Sequence, residues 1–388
     1  MTQPLQGGAA RSRPFSTSAR LWAHMLTCLA LVSPTLALAD SKPIVLGQTY
    51  VQSGPLASLS TDPLLGIRAM LESVNRSGGI GGRPIELRQL DDAYDTARAS
   101  ANVKQLVGDG AVAILMPIGT SSSVGAVKTA NELKVPIVGP YTGAAPVMKH
   151  TDYGFPVRIS FEEECARIVN HLFTLGVTRI AFAHNDNPGA RAAMESAKSF
   201  IEQRGTKMIG SVAIKNDASD AAAQAQELAK LKPEVVVFSA SNDVTAKFIQ
   251  AYRATGAGAT FYSLSFLNGA QLFKTIDKDA VGVVISQVVP YPWNVAMPIV
   301  IEYQAAMKKI GVSDVSYASL EGYVSAKVVV EALKQAGPNP SAEKVKTALE
   351  TFKALNLGGV TLRYTPTEHL GINFSELSML RKDGSFIR

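Results

Sequence analysis

The sequence predicts an α/β protein built as two lobes, each a doubly wound parallel sheet wrapped by helices. Three observations lead there. Between Ile44 and Met148, β-branched runs alternate with helical periods, the pattern of a parallel sheet with crossover helices. A second series of the same kind begins near Ile159. The length, 388 residues, exceeds what one compact core usually takes.

The elements follow in order. Residues 44–47 form a short strand, and after a loop Leu64, Leu65, Ile67, Met70 and Leu71 recur at helical spacing. A glycine-rich turn over 78–82 precedes a strand over 85–90. A helix then leads to an apolar strand over 111–116, and another helix to a strand over 135–138. After a strand-like stretch at 154–159, helices are expected at 162–175, 189–204, 219–231 and 243–255. Strands at 179–183, 208–214, 234–238 and 261–264 alternate with them. The run 281–289 is strand-like and carries the chain back toward the first lobe. Helices at 296–309, 320–336 and 341–351 follow; Gly337-Pro338 ends the second and Ser341 opens the third. The tail alternates like strands over 360–364 and 374–381, with a turn at Lys382-Asp383-Gly384.

Composition narrows the class. Hydrophobic content of 46% with 18% charged residues is that of a globular chain. The first 39 residues contain Arg11, Arg13 and Arg20 but no acid, then an apolar stretch over 21–32 and the small-residue pattern Ala37-Leu38-Ala39. This predicts a secretory signal peptide cut after Ala39 and a periplasmic mature protein; the apolar stretch is too short to span a membrane. Loss of the three arginines takes the net charge from +6 to +3, so a nucleic-acid partner is not expected. Cys28 lies in the leader without a lipidation pattern. Cys165 is then the one mature thiol, expected as a small buried residue with no disulfide.

The motifs SGP, GGI-GGR-IEL, DDAYD with a following alanine, the G-T-S turn and GPYTGA occur in that order. Together they resemble the periplasmic solute-binding proteins of ABC importers, specifically the branched-chain amino-acid (Leu/Ile/Val) receptors. The resemblance implies the type I periplasmic-binding fold, with the two lobes joined by a three-crossing hinge. It implies a signal peptide at 1–39, an N-terminal lobe of 40–159 plus 289–371, and a C-terminal lobe of 160–288 plus 372–388. The implied function is capture of a small solute in the interlobe cleft, amino-acid-like or a carboxylate or amide, and its delivery to an inner-membrane ABC permease. No cofactor is expected, and the receptor is expected to be a monomer. A periplasmic ligand-sensing subunit of a signalling system would use the same fold.

Loops leaving the carboxyl ends of parallel strands line the crevice where ligands bind. Three such first-lobe loops are 51–59, which includes Gln52, then 117–123 and 140–144. Gly119, Thr120 and Ser121 open a helix with hydroxyls and backbone N–H groups that suit a carboxylate; a plain helix cap is the other reading. Tyr141, Thr142 and Gly143 offer a ring, a hydroxyl and close backbone approach. The resemblance implies ligand contact by Thr120, Tyr141 and Thr142. It also implies an acidic residue where this chain has Ser265. Either Asp186 or Asp243 supplies that charge from nearby, or the ligand is not an α-amino acid. Asn185, Asn187, Asn242 and Phe266 read as a neutral and apolar second-lobe wall.

Other groups read as structural. The run Asp91-Asp92-Ala93-Tyr94-Asp95 lacks the spacing of a calcium loop and reads as a strand end followed by an Asp95 helix cap. The glycines at 78–82 follow a helix and precede a strand, the reverse of a phosphate-binding turn. No metal site and no catalytic set is expected. His184, at a strand end, is the one histidine placed where turnover would implicate it.

Overall fold

The structure, a computed structural model, describes residues 42–388 apart from Pro55. The expected leader, its cleavage point after Ala39 and Cys28 lie outside the described residues.

The first sheet is built from β1 (Ile44–Tyr50), β2 (Ile85–Asp91), β3 (Ala113–Leu115), β4 (Ile137–Val138) and β5 (Gly154–Phe155) in the order β2-β1-β3-β4-β5. All its pairings are parallel. Helices α1 (Ser58–Arg76), α2 (Thr96–Gly108), α3 (Thr120–Leu133) and the short α4 (Ala145–Met148) connect the strands. β1 is buried along six of its seven residues, as expected for a parallel strand covered on both faces.

The chain then enters the second sheet. α5 (Phe161–Thr174) leads to β6 (Ile180–Asn185), α6 (Pro188–Gln203) to β7 (Gly210–Ile214), and α7 (Ala221–Lys230) to β8 (Val235–Ser239). α8 (Asn242–Ala254), β9 (Thr260–Ser263), α9 (Gly269–Ile276) and β10 (Val284–Gln287) complete the series. The parallel part runs β7-β6-β8-β9-β10, so the second sheet repeats the order of the first. Both orders reverse at one position, between β1 and β3 and between β6 and β8, which are the switch points where open α/β sheets hold ligands.

α10 (Pro298–Lys309), α11 (Tyr317–Ala336) and α12 (Ala342–Glu350) return to the first sheet's side, where α11 lies on α1. Two glycines permit that crossing. A Cβ on Gly66 would stand 1.7 Å from the Ser319 carbonyl oxygen, and one on Gly322 2.1 Å from that of Pro63. β11 (Leu355–Asn356), β12 (Thr361–Thr365) and β13 (Glu368–Ile372) form an antiparallel meander, tied to the first lobe by Ile372 N–H donating to the Val157 carbonyl at 3.0 Å. β14 (Glu376–Leu380) and β15 (Phe386–Ile387) add antiparallel strands beside β10. The chain thus passes between the two large sheets after β5, after β10 and after β13.

Several elements were absent from the sequence reading, among them α4, α9, β11 and β13. α9 opens at Gly269, a poor helix former, yet Asn268 caps it by accepting from Gln271 N–H at 3.1 Å. β13 fills part of the gap between the two expected tail strands. The helix expected from residue 320 begins three residues earlier, at Tyr317, because Ser316 caps it.

Candidate functional site

A cavity of about 490 Å³, mouth included, lies between the carboxyl ends of the two sheets. Loops after β1, β3 and β4 supply one wall through Leu56, Leu59, Thr120, Tyr141 and Thr142. Segments at the ends of β6, β8 and β9 supply the other through Asn185, Asn187, Ser239, Ser241 and Phe266.

The first wall is held by carboxylates beneath it. Asp92 is fully buried and accepts from Thr49 Oγ1 at 2.6 Å, Ser122 Oγ at 2.7 Å and Tyr94 N–H at 2.8 Å. Burial raises its pKa, against the pull of those hydrogen bonds. Asp91 accepts from Ala93 N–H at 2.9 Å. Burial raises the Asp91 pKa too, but the Ser53 hydroxyl and the N–H groups of Ala93, Gln52 and Ser53 outweigh it, leaving a value of about 2. These bonds force Ala93 and Tyr94 into positive φ, 49° and 66°, a backbone state that persists only where surrounding contacts impose it. The result turns Tyr94 into the cavity and lays its ring on Gly119. A Cβ there would stand 2.4 Å from Tyr94 Cε2. Burial raises the Tyr94 phenol pKa, opposed by hydrogen bonding from Thr120 and Ser121.

Of the hydroxyls opening α3, Ser122 and Ser123 are engaged, the latter with the Pro117 carbonyl at 3.1 Å. Thr120 Oγ1 and Thr142 Oγ1 lie 2.8 Å apart, and Thr142 Oγ1 also accepts from Ala144 N–H. Whichever threonine donates within the pair, one hydroxyl proton is left to turn to the Tyr94 oxygen or to an acceptor in the cavity.

On the second wall, Asn185 accepts from Ser241 N–H at 2.6 Å and donates to Asn216 at 2.9 Å. Asn187 caps α6 by accepting from Ala190 N–H at 2.9 Å. Ser239 is 1% exposed, and its hydroxyl has no partner among the described residues. Phe266 packs on Phe161 at 5.9 Å between centroids. The walls touch where α3 and α6 begin: a Cβ on Gly189 would stand 2.9 Å from Thr120 Oγ1.

The structure places the expected residues unevenly. Gly119, Thr120, Tyr141, Thr142, Asn187 and Phe266 line this cavity. Gln52 is exposed and contributes its backbone N–H to Asp91 at 2.9 Å. Ser121 offers its carbonyl to Thr96 Oγ1, and Gly143 packs against the Phe161 backbone. Asn242 exchanges two hydrogen bonds with the Asn268 backbone, at 2.7 and 3.0 Å. None of these four lines the cavity. Asp186 pairs with Arg191 at the surface and Asp243 is exposed, so neither supplies the acid expected near Ser265. His184 is buried with Nδ1 2.8 Å from the Asn185 carbonyl, outside the cavity lining, and burial lowers its pKa. Cys165 is buried in the core, which raises its thiol pKa.

Ser265 itself belongs to an ionic cluster that sequence reasoning missed. Arg158, 2% exposed, meets Glu164 at 2.5 Å and Glu321 at 3.3 Å and also donates to Ser265 Oγ. Glu164 accepts from Ser265 N–H and Oγ, both at 2.9 Å. Burial lowers the Arg158 pKa, but Glu321 and Glu164 more than offset it, so the guanidinium stays charged. Burial raises that of Glu321. Glu321 stands on α11 and Glu164 on α5, so the cluster joins the two lobes behind the cavity. Among the described residues, no group of acids, histidines and cysteines could hold a metal ion, and no helix is long and apolar enough to cross a membrane.

Residues 43–384 match the family model of the periplasmic binding proteins. Leu/Ile/Val-binding protein homolog 7 of Brucella suis is 25% identical over 337 residues, covering 79% of this chain and 82% of the relative. A substrate-binding periplasmic protein from Ralstonia solanacearum superposes with a TM-score of 0.82 at 27% identity, over 89% of this chain and 99% of that one. A possible leucine/isoleucine/valine-binding protein from Rhodopirellula baltica shares the two-lobed fold with a TM-score of 0.84 at 24% identity, over 90% and 97%. The chain therefore belongs to the periplasmic binding protein family, as an extracytoplasmic solute-binding receptor.

Proposed function

We propose that the receptor captures a small solute with an apolar body and a single carboxylate or amide end, and delivers it to an ABC permease. The observation that carries this reading is the charge of the cavity: among the described residues lining it, none is Asp, Glu, Lys or Arg. An α-amino acid would bury its ammonium there without a countercharge, at a cost of several kcal/mol. One carboxylate or amide meets a better match. The Thr120–Thr142 pair and Ser239 offer protons from opposite walls, and the starts of α3 and α6 favour negative charge. Leu56, Leu59, Phe161 and Phe266 enclose the apolar body.

Because both lobes contribute donors, the ligand binds the closed form better than the open one, and that difference shifts the equilibrium toward closure. The permease would then recognise the closed pair. A thermal-shift comparison of benzoate, benzamide, isovalerate and leucine tests the reading. An acid or amide at a hundredfold excess over its dissociation constant stabilises by about 2.7 kcal/mol, and leucine does not. Stabilisation by leucine above every acid and amide would overturn it.

A further inference from the structure

Some of the bonds that join the two lobes involve no residue of the cavity. Asp62 lies in α1, which connects strands of the first sheet, and Asn268 caps α9, which connects strands of the second. Asn268 Nδ2 donates to Asp62 Oδ2 at 2.8 Å, between residues 206 positions apart. The same oxygen accepts from Ser316 Oγ at 2.7 Å, and Ser316 is the cap of α11, which packs on α1. On the other side of the bond, Asn268 is braced within its own lobe. Its N–H donates to Asn242 Oδ1 at 3.0 Å, its carbonyl accepts from Asn242 Nδ2 at 2.7 Å, and its Oδ1 accepts from Gln271 N–H at 3.1 Å. None of these residues lines the cavity.

Each partner is therefore set by its own lobe before it meets the other. The Arg158 cluster also joins the lobes, but Arg158 sits on the crossing that follows β5. Asp62 and Asn268 sit on no crossing, so moving the lobes apart breaks their bond. A hydrogen bond to a carboxylate is stronger than one between neutral groups, and this one uses no atom of a solute. Six residues along from Asn268, Lys274 of α9 stands 4.0 Å from Asp314, ahead of α11. Both of those side chains are largely exposed, so that pair contributes little.

We propose that Asp62 and Asn268 form a latch that holds the lobes together independently of the solute and gives the receptor a standing closed population. A solute then binds a form already present, and its apparent affinity scales with the fraction of receptor in that form. Weakening the latch lowers affinity for every solute by the same factor, whereas a change at Thr142 acts on the solute's end group. The latch rests on closure of the lobes, as the proposed function does, but not on which solute they enclose.

A charge swap tests it. Asn268→Asp keeps the cap of α9, since aspartate caps a helix as well as asparagine does, but it sets two carboxylates against each other. Asp62→Asn combined with Asn268→Asp reverses donor and acceptor, and the amide oxygen at position 62 still accepts from Ser316. Melting curves report that both variants are folded. In small-angle X-ray scattering of the mature chain without added solute, Asn268→Asp is expected to have a larger radius of gyration than the parent, and the double variant to return to the parent value. By calorimetry, Asn268→Asp should weaken benzoate and 3-phenylpropionate alike, by about tenfold or more, and the double variant should recover both. An unchanged radius in Asn268→Asp, a double variant as open as the single one, or a loss confined to one acid overturns the latch. Failure of both acids to bind the parent chain overturns the proposed solute, and the scattering comparison still decides the latch.

Discussion

The parallel parts of the two large sheets have the same strand order, yet their carboxyl ends are finished differently. At the first, Asp91 and Asp92 hold Ala93 and Tyr94 in positive φ, Ser122 and Ser123 are tied down, and two threonines keep one proton between them. At the second, the amides of Asn185 and Asn187 are engaged within the lobe, but Ser239 is buried with no partner. A buried hydroxyl without a partner costs about 1–3 kcal/mol. On the proposed reading, the first lobe is a cradle set in advance and the second a lid whose polar complement the solute would supply. Repeating a topology does not repeat a role; the loops at the strand ends decide it.

The harshest way to break this pairing is at the cluster that joins the lobes. Arg158→Ala leaves Glu164 and Glu321 buried without their shared cation. Removing one partner of a buried ion pair destabilises by about 3–5 kcal/mol. Urea denaturation should show that loss, and a midpoint unchanged from the parent chain would mean that the cluster is not what holds the lobes together.

A gentler intervention acts on closure alone. Gly189 stands where α6 meets Thr120, and a methyl group there would come within 2.9 Å of the threonine side chain. Overpacking costs about 1–3 kcal/mol, and in Gly189→Ala that cost falls on the closed form. Affinity for the best-binding acid should drop about five- to a hundredfold, while melting of the unliganded protein stays near that of the parent. Equal affinity in the variant would show that the lobes do not close onto this contact.

How much of this was legible beforehand follows from separation along the chain. The alternating strands and helices of both sheets were legible because each element carries its own period. The loops bearing Thr120, Tyr141 and Thr142 followed from the rule that strand carboxyl ends face the crevice. The same rule, applied to the VVVFS strand, would have found Ser239. Tyr94 was hidden because the two carboxylates that turn it inward also read as an ordinary strand end and helix cap. Arg158 and Glu321 lie 163 residues apart, and no local pattern signals that a buried cation will find that partner. Asn242 misled for the opposite reason: a loop amide facing a cleft and one bracing the Asn268 turn look alike in sequence.

The smallest expected effect sharpens the contrast between cradle and lid. Ser239→Ala removes a buried hydroxyl that has no partner among the described residues, so stability measured without ligand should hold or rise slightly. With ligand it loses one hydrogen bond of about 1 kcal/mol, or roughly fivefold in affinity. The matching change in the cradle, Thr142→Val, behaves otherwise, since it also deprives Ala144 N–H of its acceptor and so weakens the empty protein as well as the complex. Calorimetry with 3-phenylpropionate and parallel melting curves separate the two patterns. If Ser239→Ala lowers the stability of the empty protein as much as Thr142→Val does, the second lobe is as complete without ligand as the first, and the division of roles between them fails.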